Sequence, residues 1–177
     1  SNRQLLAIGS NGTLYQIDTG SAVSKKTGLS NGRFQTTEFN GLTIFVNGTD
    51  TPFSWNGSSA SNLSITLSDS ASASTLKGVT TYKNRLYYFT GVDQNFYYSA
   101  TVDTFQGNFT KFPVGLVGTF GGNLIQIGVL TVDGGEGQDD LLTLMMSSGE
   151  VLVYSGTDPS ASSFALVGTF RIAEPVN

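Results

Sequence analysis

The chain has 177 residues, a formal net charge of −4, and neither cysteine nor histidine. Without these two residue types it has no disulfides, thiolate nucleophiles, histidine acid–base catalysis or histidine- and cysteine-based metal sites. Only 12% of the residues are charged, and no basic cluster indicates specific nucleic-acid binding or attraction to an anionic membrane. No apolar run has the length of a membrane span.

The N-terminal segment LLAIGSNGTLYQID predicts a β-hairpin. Leu5–Ile8 is its first strand and Leu14–Ile17 is the returning strand. The Asn-Gly pair between them is the strongest short hairpin signal, because the tight turn needs residues that tolerate positive φ. Lys25 and Lys26 follow among serine, threonine and glycine, so we expect them at a loop tip.

Two similar hairpins are predicted in the middle of the chain. GLTIFVNGTDTPFSWNG contains the strands Leu42–Val46 and Pro52–Trp55, and RLYYFTGVDQNFYYSA contains Leu86–Thr90 and Phe96–Ser99. The segments that precede them, RFQTTEFNGL and KGVTTYKNRL, also match each other, with equivalent asparagines 44 residues apart. The middle of the chain therefore contains two copies of one repeating unit.

A fourth hairpin is predicted in DDLLTLMMSSGEVLVY, with strands Leu141–Met146 and Val151–Tyr154. The pentapeptide LVGTF occurs at Leu116–Phe120 and again at Leu166–Phe170, and we expect each copy to follow the third strand of its unit. The last apolar segment, Phe164–Ile172, either closes onto the first unit, which lacks an inner strand before Leu5, or forms the outer strand of the last unit.

A repeat of about 40–44 residues with about four short strands is typical of β-propeller blades. One such sheet cannot bury its own apolar faces, so neighbouring sheets must cover each other. The sequence therefore predicts a single all-β domain over residues 1–177, built as a β-propeller-like array of about four blade units of short antiparallel strands. The alternative is a two-sheet β-sandwich. The domain is expected to be excised from a longer protein, with repeat units at approximately 1–32, 33–75, 76–120 and 121–177.

One cluster of carboxylates is a candidate metal site. Asp133, Glu136, Asp139 and Asp140 lie in or beside a glycine-rich insertion, and flexible oxygen ligands of this kind suit Ca²⁺. The spacing does not match an EF-hand loop, and a solvated loop or a partner contact is the alternative. Because no nearby residue would raise the pKa of one carboxylate, we predict no catalytic residue. The glycine-rich segments GGNLIQIG and DGGEG do not lead into a helix, so we predict no cofactor-binding residue.

The aromatic residues between positions 82 and 98 have two interpretations. Alternating tyrosine and phenylalanine on strands is typical of a core with cross-strand pairs, and stacking on sugar rings is the alternative. Five tripeptides also fit the N-glycosylation pattern. We interpret them mainly as turn chemistry, since Asn-Gly favours tight turns; they begin at Asn11, Asn47, Asn56, Asn62 and Asn108.

The second half of the chain resembles a family of tailed-bacteriophage virion proteins. The segments that carry the resemblance are NRLYYFTGVDQNFYYSATVDTFQG and GGNLIQIGVLTVDGGEGQDDLLTLMMSSGEVLVYSGTDPSASSFALVGTFRIAEPV. It covers about Asn84–Val176 and is detailed over Asp133–Pro159. In the family a glycine usually precedes the final proline, where this chain has RIAEPVN.

The resemblance implies a non-enzymatic structural domain of a phage particle, in the tail or the head–tail connector. Some tail-extension (nozzle) proteins of short-tailed phages are built on propellers, and the expected partners are other tail or connector proteins and copies of the chain itself. A carbohydrate- or receptor-binding propeller module on the phage tail is the alternative. The two differ at the aromatic residues, because a lectin needs Trp55 or one tyrosine of each unit exposed.

Overall fold

The computed structural model describes residues 4–18, 20–133, 138–173 and 175, and it gives only the backbone of residues 132, 133, 138 and 139. Within these residues the protein is all-β, as predicted. Sixteen strands and two single-turn 3-10 helices, Ala73–Thr75 and Val114–Leu116, are present. Short strands separated by turns agree with the turn signals that recur along the chain.

The strands form four sheets that follow one another along the chain. Sheet 1 contains β1 (Leu6–Gly9), β2 (Thr13–Gln16) and β3 (Val23–Lys26). Sheet 2 contains β4 (Gln35–Phe39), β5 (Leu42–Val46), β6 (Phe53–Trp55) and β7 (Ala60–Asn62). Sheet 3 contains β8 (Ile65–Leu67), β9 (Gly78–Tyr82), β10 (Arg85–Phe89), β11 (Asn95–Ser99) and β12 (Gly107–Pro113). Sheet 4 contains β13 (Leu124–Asp133), β14 (Gln138–Met146), β15 (Glu150–Ser155) and β16 (Ala165–Arg171).

All four predicted hairpins are confirmed as the antiparallel pairs β1–β2, β5–β6, β10–β11 and β14–β15. Gly12 in the first turn has a φ of 69°, and a Cβ at this position would lie 2.2 Å from the carbonyl oxygen of Leu29. Glycine is therefore required there both by backbone conformation and by the close approach of the next segment.

The strands divide among four sheets, not the two of a sandwich. Their order in space is β1-β2-β3, β4-β5-β6-β7, β8-β12-β11-β10-β9 and β13-β14-β15-β16. All pairs are antiparallel except β8 with β12. β8 lies within the predicted unit 33–75, yet it pairs in sheet 3, and sheets 1 and 3 have three and five strands where about four were expected.

Three hydrophobic cores fill the spaces between consecutive sheets. The first joins sheets 1 and 2 around Leu14 and Trp55. The second joins sheets 2 and 3 around Ile44 and Tyr88. The third joins sheets 3 and 4 around Tyr87. Each core fills a gap that neither sheet could close alone, which is the physical reason that the short sheets are stable.

The structure corrects two expectations and decides a third. Lys25 and Lys26 lie in β3, not at a loop tip, and the ammonium of Lys26 donates to Asn62 Oδ1 of sheet 2 at 2.6 Å. The second LVGTF copy lies in β16 and follows β15, the third strand of its unit, as predicted. The first copy follows β12, the fourth strand of its unit; it begins at the last residue of a 3-10 turn and forms no strand. The segment Phe164–Ile172 provides the outer strand of sheet 4, since β16 pairs with β15.

The edge strands β4, β9 and β13 of sheets 2, 3 and 4 converge. Gln35 Nε2 of β4 donates to Gln126 Oε1 of β13 at 3.2 Å. Stacked sheets lie about 10 Å apart, so sheets 2 and 4 would be about 20 Å from each other if all three sheets were flat and parallel. The hydrogen bond between sheets 2 and 4 shows that they come much closer than this along one edge. Thr80 Oγ1 and Thr81 Oγ1 of β9 donate to backbone carbonyls of β13 and β4 respectively. The three sheets therefore diverge from the place where their edge strands β4, β9 and β13 meet.

Gly78 permits this convergence. A Cβ at Gly78 would lie 2.0 Å from Phe89 Cε1 and 2.8 Å from Gln35 Oε1. Overpacking of this kind costs about 1–3 kcal/mol, and we expect Gly78→Ala to destabilise the protein by about 2–3 kcal/mol in urea unfolding. Gly32→Ala is the matched control, because its Cβ would make only ordinary contact with Ile8 at 3.6 Å. Equal effects of the two substitutions would contradict the prediction.

Candidate functional site

The four acidic residues of the candidate calcium site are only partly described. Glu136 lies outside the described residues, as do the side chains of Asp133 and Asp139. By their backbone, Asp133 lies in β13 and Asp139 and Asp140 lie in β14. Asp140 Oδ1 accepts a hydrogen bond from Thr131 Oγ1 at 2.7 Å. In the part of the chain with described side chains, no three acidic residues come together as a metal site, and calcium binding stays a prediction.

The aromatic residues that a lectin would expose are buried. Trp55 is 3% exposed, and its Nε1 donates to Gln4 Oε1 at 2.9 Å. The rings of β9, β10 and β11 are buried between sheets, where several make edge-to-face and tilted contacts with one another. These buried residues are Tyr82, Tyr87, Tyr88, Phe89, Phe96, Tyr97 and Tyr98. No ring face in this set is available for stacking on a sugar.

Two candidate glycosylation asparagines form side-chain turns. Asn47 Oδ1 accepts from the backbone N–H groups of Thr49 and Asp50, and Asn56 Oδ1 accepts from those of Ser58 and Ser59. This is the local pattern that makes asparagine favourable in turns. Asn47 is also buried. The interpretation of these two sites as turn chemistry is confirmed.

A buried arginine joins sheets 3 and 4. The guanidinium of Arg85 donates to the carbonyls of Ser99 and Ala100 in its own sheet, and to the Thr157 carbonyl and Asp158 Oδ2 beyond β15. The Arg85–Asp158 distance is 2.7 Å. Hydrogen bonds from the hydroxyl and backbone N–H of Ser160, together with the charge of Arg85, hold the pKa of Asp158 below its usual value. The arrangement fixes two sheets and uses four of the five N–H donors of the guanidinium.

The pairing of Arg85 with Asp158 was not predicted from the sequence. The available signal was that RLYYF and GTDP both lie in the segments that carry the resemblance. The pattern alone did not show that the two motifs meet, because 73 residues separate them.

A second buried charge holds the loop that contains the first LVGTF copy. The carboxylate of Glu150 is fully buried and accepts hydrogen bonds from the backbone N–H groups of Thr119 and Phe120 at 3.0–3.2 Å. The guanidinium of Arg171 lies 4.4 Å from the centre of the Phe120 ring. These contacts attach the loop before β13 to the edge of sheet 4.

We expect Glu150→Ala to destabilise the protein by about 2–3 kcal/mol, because hydrogen bonds to a charged group contribute about 1.5–3 kcal/mol. Backbone hydrogen exchange should also become faster at Thr119 and Phe120, the two donors. Glu38→Ala serves as the control, since Glu38 Oε1 bonds only to the neighbouring Thr43 hydroxyl at an exposed site. If exchange at the two amides is unchanged, the anchoring role is wrong.

The outer face of sheet 4 is apolar and faces away from sheet 3. Alternation along β14 and β15 places Leu142, Leu144 and Leu152 in the core, so the intervening residues point outward. The outward residues include Leu130, Leu141, Val151, Val153 and Phe170, with Leu130 49% and Phe170 61% exposed. We call this set the sheet 4 outer face.

The outer face of sheet 1 is also uncharged, and the ring of Tyr15 on its central strand β2 lies beside Gly9 of β1. Leu14 belongs to the core with sheet 2, so its neighbours in the alternation point the other way. The outward residues are Leu5, Ala7, Gly9, Tyr15 and Ile17, with Leu5 58% exposed. We call this set the sheet 1 outer face. None of the three cores in the described residues joins it to sheet 4.

The described helices are too short to cross a membrane. No protein-family model, curated protein or solved structure matches the chain. The functional argument therefore depends on the sequence resemblance and on the two apolar outer faces.

Proposed function

We propose that the chain is a non-enzymatic structural domain of a tailed-bacteriophage particle, located in the tail or the head–tail connector and acting through protein–protein contacts. The observation that carries the proposal is the distribution of apolar groups. The aromatic rings of β9, β10 and β11 are buried between sheets, whereas exposed large apolar residues, among them Leu130 and Phe170, lie on outward sheet faces. Exposed apolar faces are typical of protein contacts.

The proposal includes a propeller-like arrangement of the four sheets. Its support is the hydrogen bond between Gln35 and Gln126, which joins first strands on either side of sheet 3. Sheets that diverge from neighbouring first strands resemble blades around an axis.

The polar chemistry of the described residues also suits a structural role. The buried charges of Arg85 and Glu150 bond to backbone groups and hold adjacent elements together. Hydrogen bonds from Ser160 and the charge of Arg85, at the junction of sheets 3 and 4, lower the pKa of Asp158. The receptor-binding alternative has no comparable support, because Trp55 and the tyrosines of sheet 3 are buried.

The test is the position of the protein in purified particles of the phage that encodes it. Mass spectrometry first establishes whether the chain is in the particle, and immunogold electron microscopy with antibody against the domain then establishes where. We expect gold at one vertex, at the tail or its junction with the head. Antibody pre-absorbed with the domain is the control. Gold over the whole capsid would contradict the tail or connector position, and absence from the particle would contradict the structural function.

A further inference from the structure

We propose that a cleft between sheets 2, 3 and 4 binds the phosphate group of a small ligand, with the guanidinium of Arg33 and the ammonium of Lys77 as its charged contacts. The cleft lies where the edge strands β4, β9 and β13 begin. Binding of a small anion is separate from the proposed contact role, so the failure of either proposal leaves the other standing.

The cleft consists of two cavities that share Lys77. The smaller cavity has a volume of about 310 Å³, and its lining residues are Asn31, Arg33, Phe34, Gln35, Asn47 and Lys77. The larger cavity has a volume of about 670 Å³ and extends from Lys77 to Gln126 of β13. Gln35 and Gln126 are the two residues joined by the hydrogen bond between sheets 2 and 4. Volumes of this size are typical of small-molecule sites.

Arg33 and Lys77 differ from the other cations of the described chain, because their side chains have no partner there. Each of the other described lysines and arginines contacts an oxygen acceptor or an aromatic ring. These residues are Lys25, Lys26, Lys83, Arg85, Lys111 and Arg171. The two cations without a hydrogen bond or ion pair among the described residues line the same cavity.

Close packing holds the stem of Lys77 beside the cleft. A Cβ at Gly48 would lie 3.4 Å from Lys77 Cβ, and a Cβ at Gly91 would lie 3.1 Å from Lys77 Cδ. The backbone N–H of Lys77 also donates to the carbonyl of Phe89 at 2.9 Å. The stem therefore lies against turns of sheets 2 and 3, while the residue as a whole stays exposed to a ligand. A side chain that is already held loses less entropy on binding.

The lining of the cleft favours an anion with two charges. Neither cavity is lined by a carboxylate. Two carboxylates that follow cavity residues in the chain bond elsewhere, since Asp50 accepts from Ser30 and Asn47, and Asp93 accepts from Thr90. A phosphate monoester carries a charge of about −1.5 to −2 at pH 7, which matches two cations better than one carboxylate does. Arginine also binds phosphate oxygens through two parallel hydrogen bonds.

The exposure of both cations sets the expected affinity. Ion pairs in contact with water contribute little, so we expect a dissociation constant of about 1–10 mM for inorganic phosphate at low salt. Binding should weaken as the salt concentration rises, because salt screens exposed charges.

The experiment is a titration of the ¹⁵N-labelled chain with inorganic phosphate, followed by two-dimensional NMR. Phosphate is added up to about 50 mM at about pH 7.5, where it is mostly doubly charged. Sodium chloride at equal ionic strength is the reference, which removes general effects of salt. The amides of Arg33, Lys77 and Gly91 should shift along a saturable curve. Shifts that do not saturate, or that sodium chloride reproduces, would overturn the proposal.

Three variants test the two charged contacts. Arg33→Met and Lys77→Met should each weaken phosphate binding at least about threefold, and the double variant should lose the saturable shifts. Both residues are exposed, so the variants should fold, and an unchanged spectrum away from the cleft verifies this. Lys83→Met is the matched control, because it removes the same charge at a residue that lines neither cavity. Equal weakening in Lys83→Met and Lys77→Met would mean that net charge, not the cleft, attracts phosphate.

The pH dependence tests the requirement for a doubly charged ligand. The chain has no histidine, so a change in affinity between about pH 7.5 and pH 5.5 comes from protonation of the phosphate itself. We expect weaker binding at the lower pH. An affinity that stays constant would contradict the pairing of two cations with two negative charges.

Two further probes separate a small phosphate ligand from other anions. Acetate carries one charge and should bind at least about tenfold more weakly than phosphate; equal binding would contradict the phosphate assignment. Single-stranded oligothymidine carries one charge on each phosphate. If it binds more tightly than inorganic phosphate and the double variant abolishes its binding, the cleft holds a nucleic-acid backbone and the small-ligand proposal is wrong.

Discussion

Replacing Arg85 by methionine is expected to lower the free energy of unfolding by about 3–5 kcal/mol, because it leaves several backbone carbonyls without their charged donor at once. The guanidinium bonds to three backbone carbonyls and to Asp158 Oδ2. Methionine fills a similar volume but donates no hydrogen bond, so the carbonyls of Ser99 and Thr157 lose their donor. Urea unfolding monitored by circular dichroism measures the change, and the midpoint should fall while the slope stays constant.

Two further variants show which part of the junction is responsible. Asp158→Asn removes the charge partner but leaves the bonds from Arg85 to the carbonyls, and we expect a loss of about 1 kcal/mol because Asp158 is partly exposed. Arg33→Met makes the same substitution at an exposed arginine and should change stability by less than about 0.5 kcal/mol. If Arg85→Met resembles Arg33→Met, the arginine does not stabilise the junction.

The hairpins were predictable because their signals are local. A glycine or Asn-Gly pair between two apolar runs fixes a turn within a few residues, and strands β5 and β14 end within a residue or two of the sequence-based limits at the turn side. The all-β class was predictable for a related reason, since short apolar runs and frequent turns leave no room for a helical repeat. These features depend on neighbouring residues and need no knowledge of the whole fold.

The assignment of strands to sheets was less predictable, because it depends on residues far apart in the chain. β8 pairs in parallel with β12 through residues 65–67 and 107–109, and no local pattern specifies that pairing. The two LVGTF segments have the same sequence and different structures. In one the segment pairs with β15, and in the other the backbone N–H groups of Thr119 and Phe120 bond to Glu150. Tertiary contacts therefore override local preference at this position.

The burial of the aromatic residues was predicted, but the exposed apolar sheet faces were not. The sequence indicated that aromatic residues belong to the core, and their burial agrees with this interpretation. It did not indicate which faces stay open, because strand alternation is the same whether or not a neighbour covers the outward side. Leu130 and Phe170 look like core residues in the sequence, and only the arrangement of sheets shows that they are exposed.

Stability is expected to fall steeply above pH 10, because two tyrosines are buried in a neutral form. Burial raises the pKa of Tyr87 and Tyr88 well above the usual value of about 10. Between the unfolded and folded pKa values the folded chain therefore binds more protons than the unfolded chain. Each tyrosine then lowers the free energy of unfolding by about 1.4 kcal/mol per pH unit. Below pH 10 both states are protonated, and neither tyrosine contributes any pH dependence.

Together the two tyrosines should lower stability by about 5 kcal/mol between pH 10 and pH 12, a loss comparable to the whole stability of many domains. The protein is therefore expected to unfold near pH 12, with tyrosinate absorbance at 295 nm rising together with the loss of the circular dichroism signal. An absorbance rise from these two tyrosines while the signal is intact would show that they ionise in the folded protein, contrary to the prediction.

Tyr88→Phe tests the same argument at one residue. The Tyr88 hydroxyl is buried and has no hydrogen-bond partner among the described residues, so its removal should leave stability at pH 7 unchanged or raise it by up to about 1 kcal/mol. At pH 12 the variant should be more stable than the wild type by about 3 kcal/mol, because one ionisable group is absent from the unfolded chain. Tyr87→Phe should reduce the alkaline slope by the same amount, and the double variant should show the sum. A Tyr88→Phe chain that loses stability as steeply as the wild type would mean that another group, not the buried phenol, causes alkaline unfolding.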